Sequence, residues 1–251
     1  MVVGHVVAVL AAWSLAQVVV WRHGGDAPGG GWGLGSMALF GGVLGAYALD
    51  RLVDAQPPRR RSFVQLCVLV MFVGGVLVAA GVACVPRIAP VVAGLSVVAV
   101  AYVPLKRWAP KGLLVAGAWS VACVWLPCER ALGTAEGTPT AACIALVVLA
   151  NVVLCDTQDI ETDRLRGVVG VAPWLGARRA AAIAACLAVA GGAASVWLGV
   201  WPLACAALPL ALMGWWCNRT KRRTRRAWVV LTADVLMVLP GVAAIATRIA
   251  G

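Results

Sequence analysis

The chain has 251 residues, 62% of them hydrophobic and only 12% charged, with a mean hydropathy of +0.92. That composition excludes an ordinary soluble domain and predicts a single integral membrane domain over residues 1–251, since one membrane helix needs roughly 20 apolar residues. The net charge of +11 does not point to nucleic acid, because the basic residues sit in short loops between apolar runs, where membrane orientation accounts for them.

Apolar runs at 2–21, 33–49, 63–85, 88–105, 112–127, 138–155, 180–198, 200–217 and 228–247 predict an all-α bundle of nine membrane helices. The first run has no basic start and no small-residue cleavage site before Arg22, so it reads as the first span and not as a cleaved signal. Gly and Ala are abundant in Val73 to Ala83 and Ala180 to Ser195, which lets helices approach closely in lipid.

The loops after the second, fourth, sixth and eighth runs hold 17 of the 21 Lys and Arg residues: Arg51 and Arg59 to Arg61, then Lys106, Arg107 and Lys111, then Arg164, Arg166, Arg178 and Arg179, then six between Arg219 and Arg226. Only Arg22, Arg87, Arg130 and Arg248 fall on the other side. Positive loops stay in the cytoplasm, so the N-terminus is expected inside and the C-terminus outside, in a cell membrane of the bacterial inner-membrane kind. The Arg59 to Arg61 and Arg219 to Arg226 runs read as anchors that also attract anionic lipid headgroups.

Two acidic steps share that basic side. Asp50-x-x-x-Asp54 follows the second run, and Asp156-Thr-Gln-Asp159-Ile-Glu-Thr-Asp163 follows the sixth, placing four carboxylates within eight residues. Acids at the mouth of a membrane segment are functional candidates, and hard oxygen ligands suit Mg²⁺. On a helical continuation Asp159 and Asp163 share a face, with Asp156 on nearly the same stripe. Their mutual repulsion requires a compensating cation, either Mg²⁺ or the neighbouring Arg164 and Arg166. A metal bridging the two steps keeps positions open for diphosphate oxygens. Lys106 and Arg107, on the same side, read either as cations beside a leaving diphosphate or as ordinary anchors. The two steps also form a faint internal echo, compatible with two related halves facing one cavity.

Other polar residues are less informative. The nine Cys lie mostly inside apolar runs and read as buried hydrophobes, while His5 and His23 are too isolated for a metal site. Asp234, some six residues into the last run, is expected to face the bundle interior, in a functional role or a structural hydrogen bond. Most of the twelve Trp lie near run ends and suit the headgroup region.

Together these residues resemble the UbiA superfamily of membrane prenyltransferases over nearly the whole chain: nine spans, acidic motifs after the second and sixth, and a Tyr102-x-x-x-Lys106 step closing the fourth. Asp156-x-x-Asp159-x-x-x-Asp163 followed by Gly167 looks like the family's second motif, and Pro173-Trp-Leu-Gly176 is a looser likeness one residue shorter. Asn151 is similar in placement to polar residues of the family's cavity. In the first motif Ala46 and Tyr47 stand where the family has Asn and Asp. The resemblance implies Mg²⁺ held by Asp50, Asp54, Asp156, Asp159 and Asp163, with Tyr102, Lys106, Asn151 and Arg164 at the substrate. The partners it implies are a prenyl diphosphate and a lipophilic or aromatic acceptor, met among membrane lipids. Trp119 and Trp125 read as interfacial anchors or as walls of an isoprenoid channel.

Three rivals compete. A cation-coupled transporter is disfavoured because its site belongs near mid-membrane on broken helices, whereas these acids cluster at one face. A CDP-alcohol phosphatidyltransferase needs Gly after its second Asp, and Ile160 stands there. A non-catalytic UbiA-like protein is kept open by Ala46 and Tyr47.

Overall fold

The computed structural model describes residues 2–23, 35–54, 61–127, 137–219 and 226–250. Basic positions Arg59, Arg60, Arg130 and Lys221 to Arg225, together with Cys128 and the side chains of His5 and Asp54, lie outside what is described. Among the described residues there are helices and turns but no strand. In chain order the helices are α1 (Val2–His23), α2 (Gly35–Asp54), α3 (Arg61–Cys84), α4 (Ala89–Leu105), α5 (Lys111–Trp125) and α6 (Gly137–Asp156). They continue with the short α7 (Ile160–Leu165) and α8 (Val171–Leu175), then α9 (Ala177–Trp197), α10 (Ala204–Arg219), α11 (Arg226–Leu236) and α12 (Leu239–Ala250).

Among the described residues, six helical segments are long and apolar enough to cross a membrane, from Ser36–Val53 to Val229–Ala250. Lys111–Trp125 and Val7–His23 are shorter apolar helices. The described residues are therefore helical, and their long apolar helices are compatible with an integral membrane protein.

Small residues set its packing. α9 packs closely on α6 and α10 through small residues: a Cβ on Gly191 would stand 3.0 Å from Val147, one on Gly192 2.9 Å from the Ala207 Cβ, and one on Gly214 2.8 Å from the Ala181 carbonyl oxygen. α2 lies along α3 at a closer approach still: a Cβ on Gly74 would stand 2.6 Å from the Gly41 carbonyl oxygen. The outward faces of α3 and α4 carry Phe72, Val97 and Val100 at 68%, 68% and 69% exposure. In water each would forgo roughly 25 cal/mol per Å² of burial, whereas in hydrocarbon nothing is lost.

The last apolar run, expected as one helix, is broken between α11 and α12. Pro240 has no N–H and its ring clashes with the carbonyl four residues earlier, which interrupts the helical hydrogen bonding here. Ser14 of α1, fully buried, repairs the break: its hydroxyl donates to Val238 O at 2.8 Å and accepts from the Gly241 N–H at 2.7 Å. The expectation that cysteines lie inside holds for Cys67, Cys123 and Cys143, but Cys84 and Cys186 are on the exposed surface.

Candidate functional site

α6 ends at Asp156, and the chain does not run on as one α-helix through the acidic motif. The amides of Thr157, Gln158 and Asp159 bond to the carbonyls three residues back, Leu154, Cys155 and Asp156, which tightens the turn. α7 then restarts with the Asp163 N–H on Asp159 O. The single straight acidic stripe expected from the spacing is thus folded over. Asp156 is buried, Asp159 is exposed, and Asp163 is buried again.

A cavity of about 190 Å³ opens beside this turn. Its polar wall includes Asp50, Arg51, Lys111, Asn151, Asp156 and Asp159, and its apolar wall Val115, Trp119, Val148, Val152 and Met237. Tyr47, Tyr102 and Asp234 also line it. The two acidic steps, about a hundred residues apart in the chain, therefore meet at one cavity through Asp50, Asp156 and Asp159. Trp119 reaches it. Trp125 packs against the core instead.

The cation closest to the acids is one the spacing argument passed over. Lys111, counted above only as a loop cation, places Nζ 2.9 Å from Asp156 Oδ1 and 3.6 Å from Asp163 Oδ2. Arg164, expected as a counter-ion or substrate ligand, is not on the cavity wall. Its Nε and Nη2 both donate to Pro173 O, at 2.9 and 2.8 Å, which clamps α7 to α8. The signal that would have found Lys111 was its position as first residue of α5 after Pro110, a cation at the rim of a helix packed on α6.

Backbone bonds hold Lys111 in place. Its N–H donates to Val169 O at 2.9 Å, and the Val169 N–H donates to Lys106 O at 2.8 Å, so the 106–111 turn is tied to the segment after the acidic motif. That segment ends at Gly176, at φ +79 and ψ 162, a conformation essentially closed to residues with a Cβ. The Pro173-Trp-Leu-Gly176 stretch therefore has a local physical reason for its glycine.

Lys106 Nζ is 3.4 Å from Asp50 Oδ1 and 5.4 Å from the Tyr102 ring centroid, a cation over an aromatic face one turn earlier on α4. Arg51 lies 5.6 Å over the Tyr47 ring in the same way on α2. On the far wall the Asn151 amide donates to Asp234 Oδ1 at 3.3 Å, and the Cys155 thiol donates to Asn151 Oδ1 at 3.9 Å.

Asp163 is drawn in opposing directions by its surroundings. Burial pushes its carboxyl above the usual 3.8, Lys111 pulls it down, and Asp156 and Asp159 push it up again. Its Oδ2 is buried without a hydrogen-bond partner among the described residues. A buried oxygen held only by a long ion pair, next to the carboxylates of Asp156 and Asp159, is hard-donor chemistry of the kind that suits a divalent cation completed by water and phosphate oxygens. As arranged, no three described acidic, His or Cys side chains converge tightly enough to hold a metal, and the Lys111 ammonium stands between Asp156 and Asp163.

No family model, curated protein or solved structure matches the chain.

Proposed function

We propose that the chain is a UbiA-like membrane prenyltransferase, of nine spans, that moves an isoprenoid chain from a prenyl diphosphate to a lipophilic or aromatic acceptor. One observation carries the reading: Asp50 from α2 and Asp156 and Asp159 from the end of α6 line a single cavity with Lys111 and Asn151. Asp50, Asp156, Asp159 and Asp163 would hold Mg²⁺, which would supply charge neutralisation to a departing diphosphate.

The chain's own residues supply the rest. Lys106 and Lys111 bring positive charge to the side where the diphosphate departs. The 190 Å³ cavity is below the roughly 300–1,000 Å³ of a site that encloses a whole ligand, so it suits the diphosphate head and leaves the isoprenoid tail to the apolar wall at Trp119, Val148 and Met237. That wall excludes water from the allylic carbon until the acceptor arrives. Incubation of purified protein with Mg²⁺ and labelled prenyl diphosphates of several lengths tests the proposal. Mg²⁺-dependent release of diphosphate is expected, and its absence at every length removes the enzyme reading.

A second reading, a non-catalytic homologue, is favoured by the Lys111 pairs, since an acid already neutralised has less need of a metal. The transporter reading draws nothing from the broken last helix, because Ser14 occupies the freed backbone groups at Val238 and Gly241.

A further inference from the structure

We propose that Lys111 is a built-in competitor for the divalent cation at Asp156 and Asp163, so that the cation enters as the Lys111 ammonium moves off these two carboxylates. The inference rests on the prenyltransferase reading only in taking a divalent cation as a ligand of these acids.

Three features of the site lead there. First, Lys111 Nζ is the nearest described cation to both buried acids, at 2.9 and 3.6 Å. Second, the single ammonium is insufficient for them. Its short hydrogen bond goes to Asp156, whereas buried Asp163 Oδ2 is held only by the longer 3.6 Å ion pair, so one positive charge faces two negative ones. A divalent cation matches two carboxylates in charge and a lysine does not. Third, the competitor is hinged. The Lys111 backbone is fixed by the Val169 bonds, whereas its side chain is 21% exposed and borders the cavity, so rotation about side-chain torsions suffices to move the ammonium without disturbing α5. Lysine's flexible stem and compact charge suit that exchange better than arginine's planar fork.

Binding of Mn²⁺ as the probe, to the full chain purified in detergent without any prenyl diphosphate, tests the proposal through loss of the free Mn²⁺ resonance signal. Lys111→Met, which keeps the length and removes the charge, should bind Mn²⁺ about tenfold more tightly or better, since the lost unit charge sits within coulombic reach of both acids. Lys111→Arg should stay as weak as the parent, and adding Asp163→Asn to Lys111→Met should erase the gain. Equal Mn²⁺ affinity in the parent and Lys111→Met overturns the proposal, as does an equal gain in Lys111→Arg. If Lys111→Met unfolds without metal, recovery of its thermal transition by Mn²⁺ supports the competition and failure to recover refutes it. Tighter Mn²⁺ binding in Lys111→Met alongside a parent that releases no diphosphate sinks the prenyltransferase reading alone. Unchanged Mn²⁺ binding with diphosphate release intact sinks the competitor alone.

Discussion

Asn151 on α6 and Asp234 on α11 meet across 3.3 Å, amide to carboxylate, and tie the last apolar run to the helix that carries the second acidic motif. The pair answers the question raised by an acid deep in an apolar run, because the carboxylate faces the bundle interior and has a donor. Asn151→Leu strands Asp234 Oδ1 and should lower stability by about 1–3 kcal/mol in a detergent thermal melt. Asp234→Asn keeps an oxygen for the amide and should lower it by far less. Equal losses would show that the bond contributes nothing and that packing alone holds the site.

The three acids of the second motif separate by burial. Asp159 is exposed, so Asp159→Ala should leave thermal stability within about 0.5 kcal/mol while removing Mg²⁺-dependent diphosphate release. Asp156→Ala leaves Lys111 without its 2.9 Å partner and should cost about 3–5 kcal/mol, the range for a buried pair broken on one side. Retained turnover in Asp159→Ala with an unchanged melt would take that residue out of the metal site.

A pH series isolates Asp163. Its carboxyl lies above 3.8 in the folded chain because burial outweighs Lys111, so the folded state binds the proton more tightly than the unfolded state. The resulting stability is full below the unfolded value and is lost as pH rises through the folded one. Asp163→Asn, neutral throughout, should melt with a flatter pH profile, and its advantage over the parent should grow from pH 4 upwards (about the ordinary carboxylate value). A parallel pair of profiles would place Asp163 in an ordinary environment.

Gly74 sets the distance between α2 and α3, and with it the position of Asp50. A Cβ there meets the Gly41 carbonyl at 2.6 Å, backbone that cannot rotate aside, whereas a Cβ on Gly75 meets nothing within 4 Å. Gly74→Ala should therefore destabilise by about 1–3 kcal/mol and Gly75→Ala should not. Similar melts for the two would mean that α2 and α3 tolerate separation.

The all-helical, apolar character of the chain was legible because lipid demands long hydrophobic stretches, and six of the described helical segments are long and apolar enough to span a membrane where nine were expected. The meeting of Asp50 with Asp156 was legible from chemistry, since both steps are costly to keep at a membrane face. Three features were not legible. Lys111 looks like any positive-inside residue until α5 is packed on α6. The tight turn at Thr157 to Asp159 replaces a helical continuation that spacing alone favours. The break at Pro240 is visible as a proline, but its repair by Ser14, more than two hundred residues away, depends on tertiary contact. The Arg164 contact was not legible for a related reason: its acceptor is a backbone carbonyl, Pro173 O, which composition does not reveal.

The first acidic step, Asp50 with its α2 neighbours, gives the last prediction. Tyr47 lines the cavity beneath Arg51, whereas Ala46, its neighbour, is on the exposed surface, so the two positions are not equivalent. Tyr47→Asp adds a carboxylate to a wall that already holds Asp50 and should lower the Mg²⁺ concentration needed for half-maximal diphosphate release. Arg51, left without the ring, works against that gain by pairing with the new acid, so Tyr47→Asp combined with Arg51→Gln should shift the requirement further. Ala46→Asn should leave the requirement unchanged, because its side chain has no access to the cavity. Asp50→Asn should raise it, and should also free Lys106 from its 3.4 Å partner. The readout is the metal dependence and not total activity, since loss of a large aromatic side chain disturbs packing whatever it does to the cation. If Asp50→Asn and Tyr47→Asp both leave that dependence unmoved, α2 takes no part in holding the metal, and the acids at the end of α6 must hold it alone.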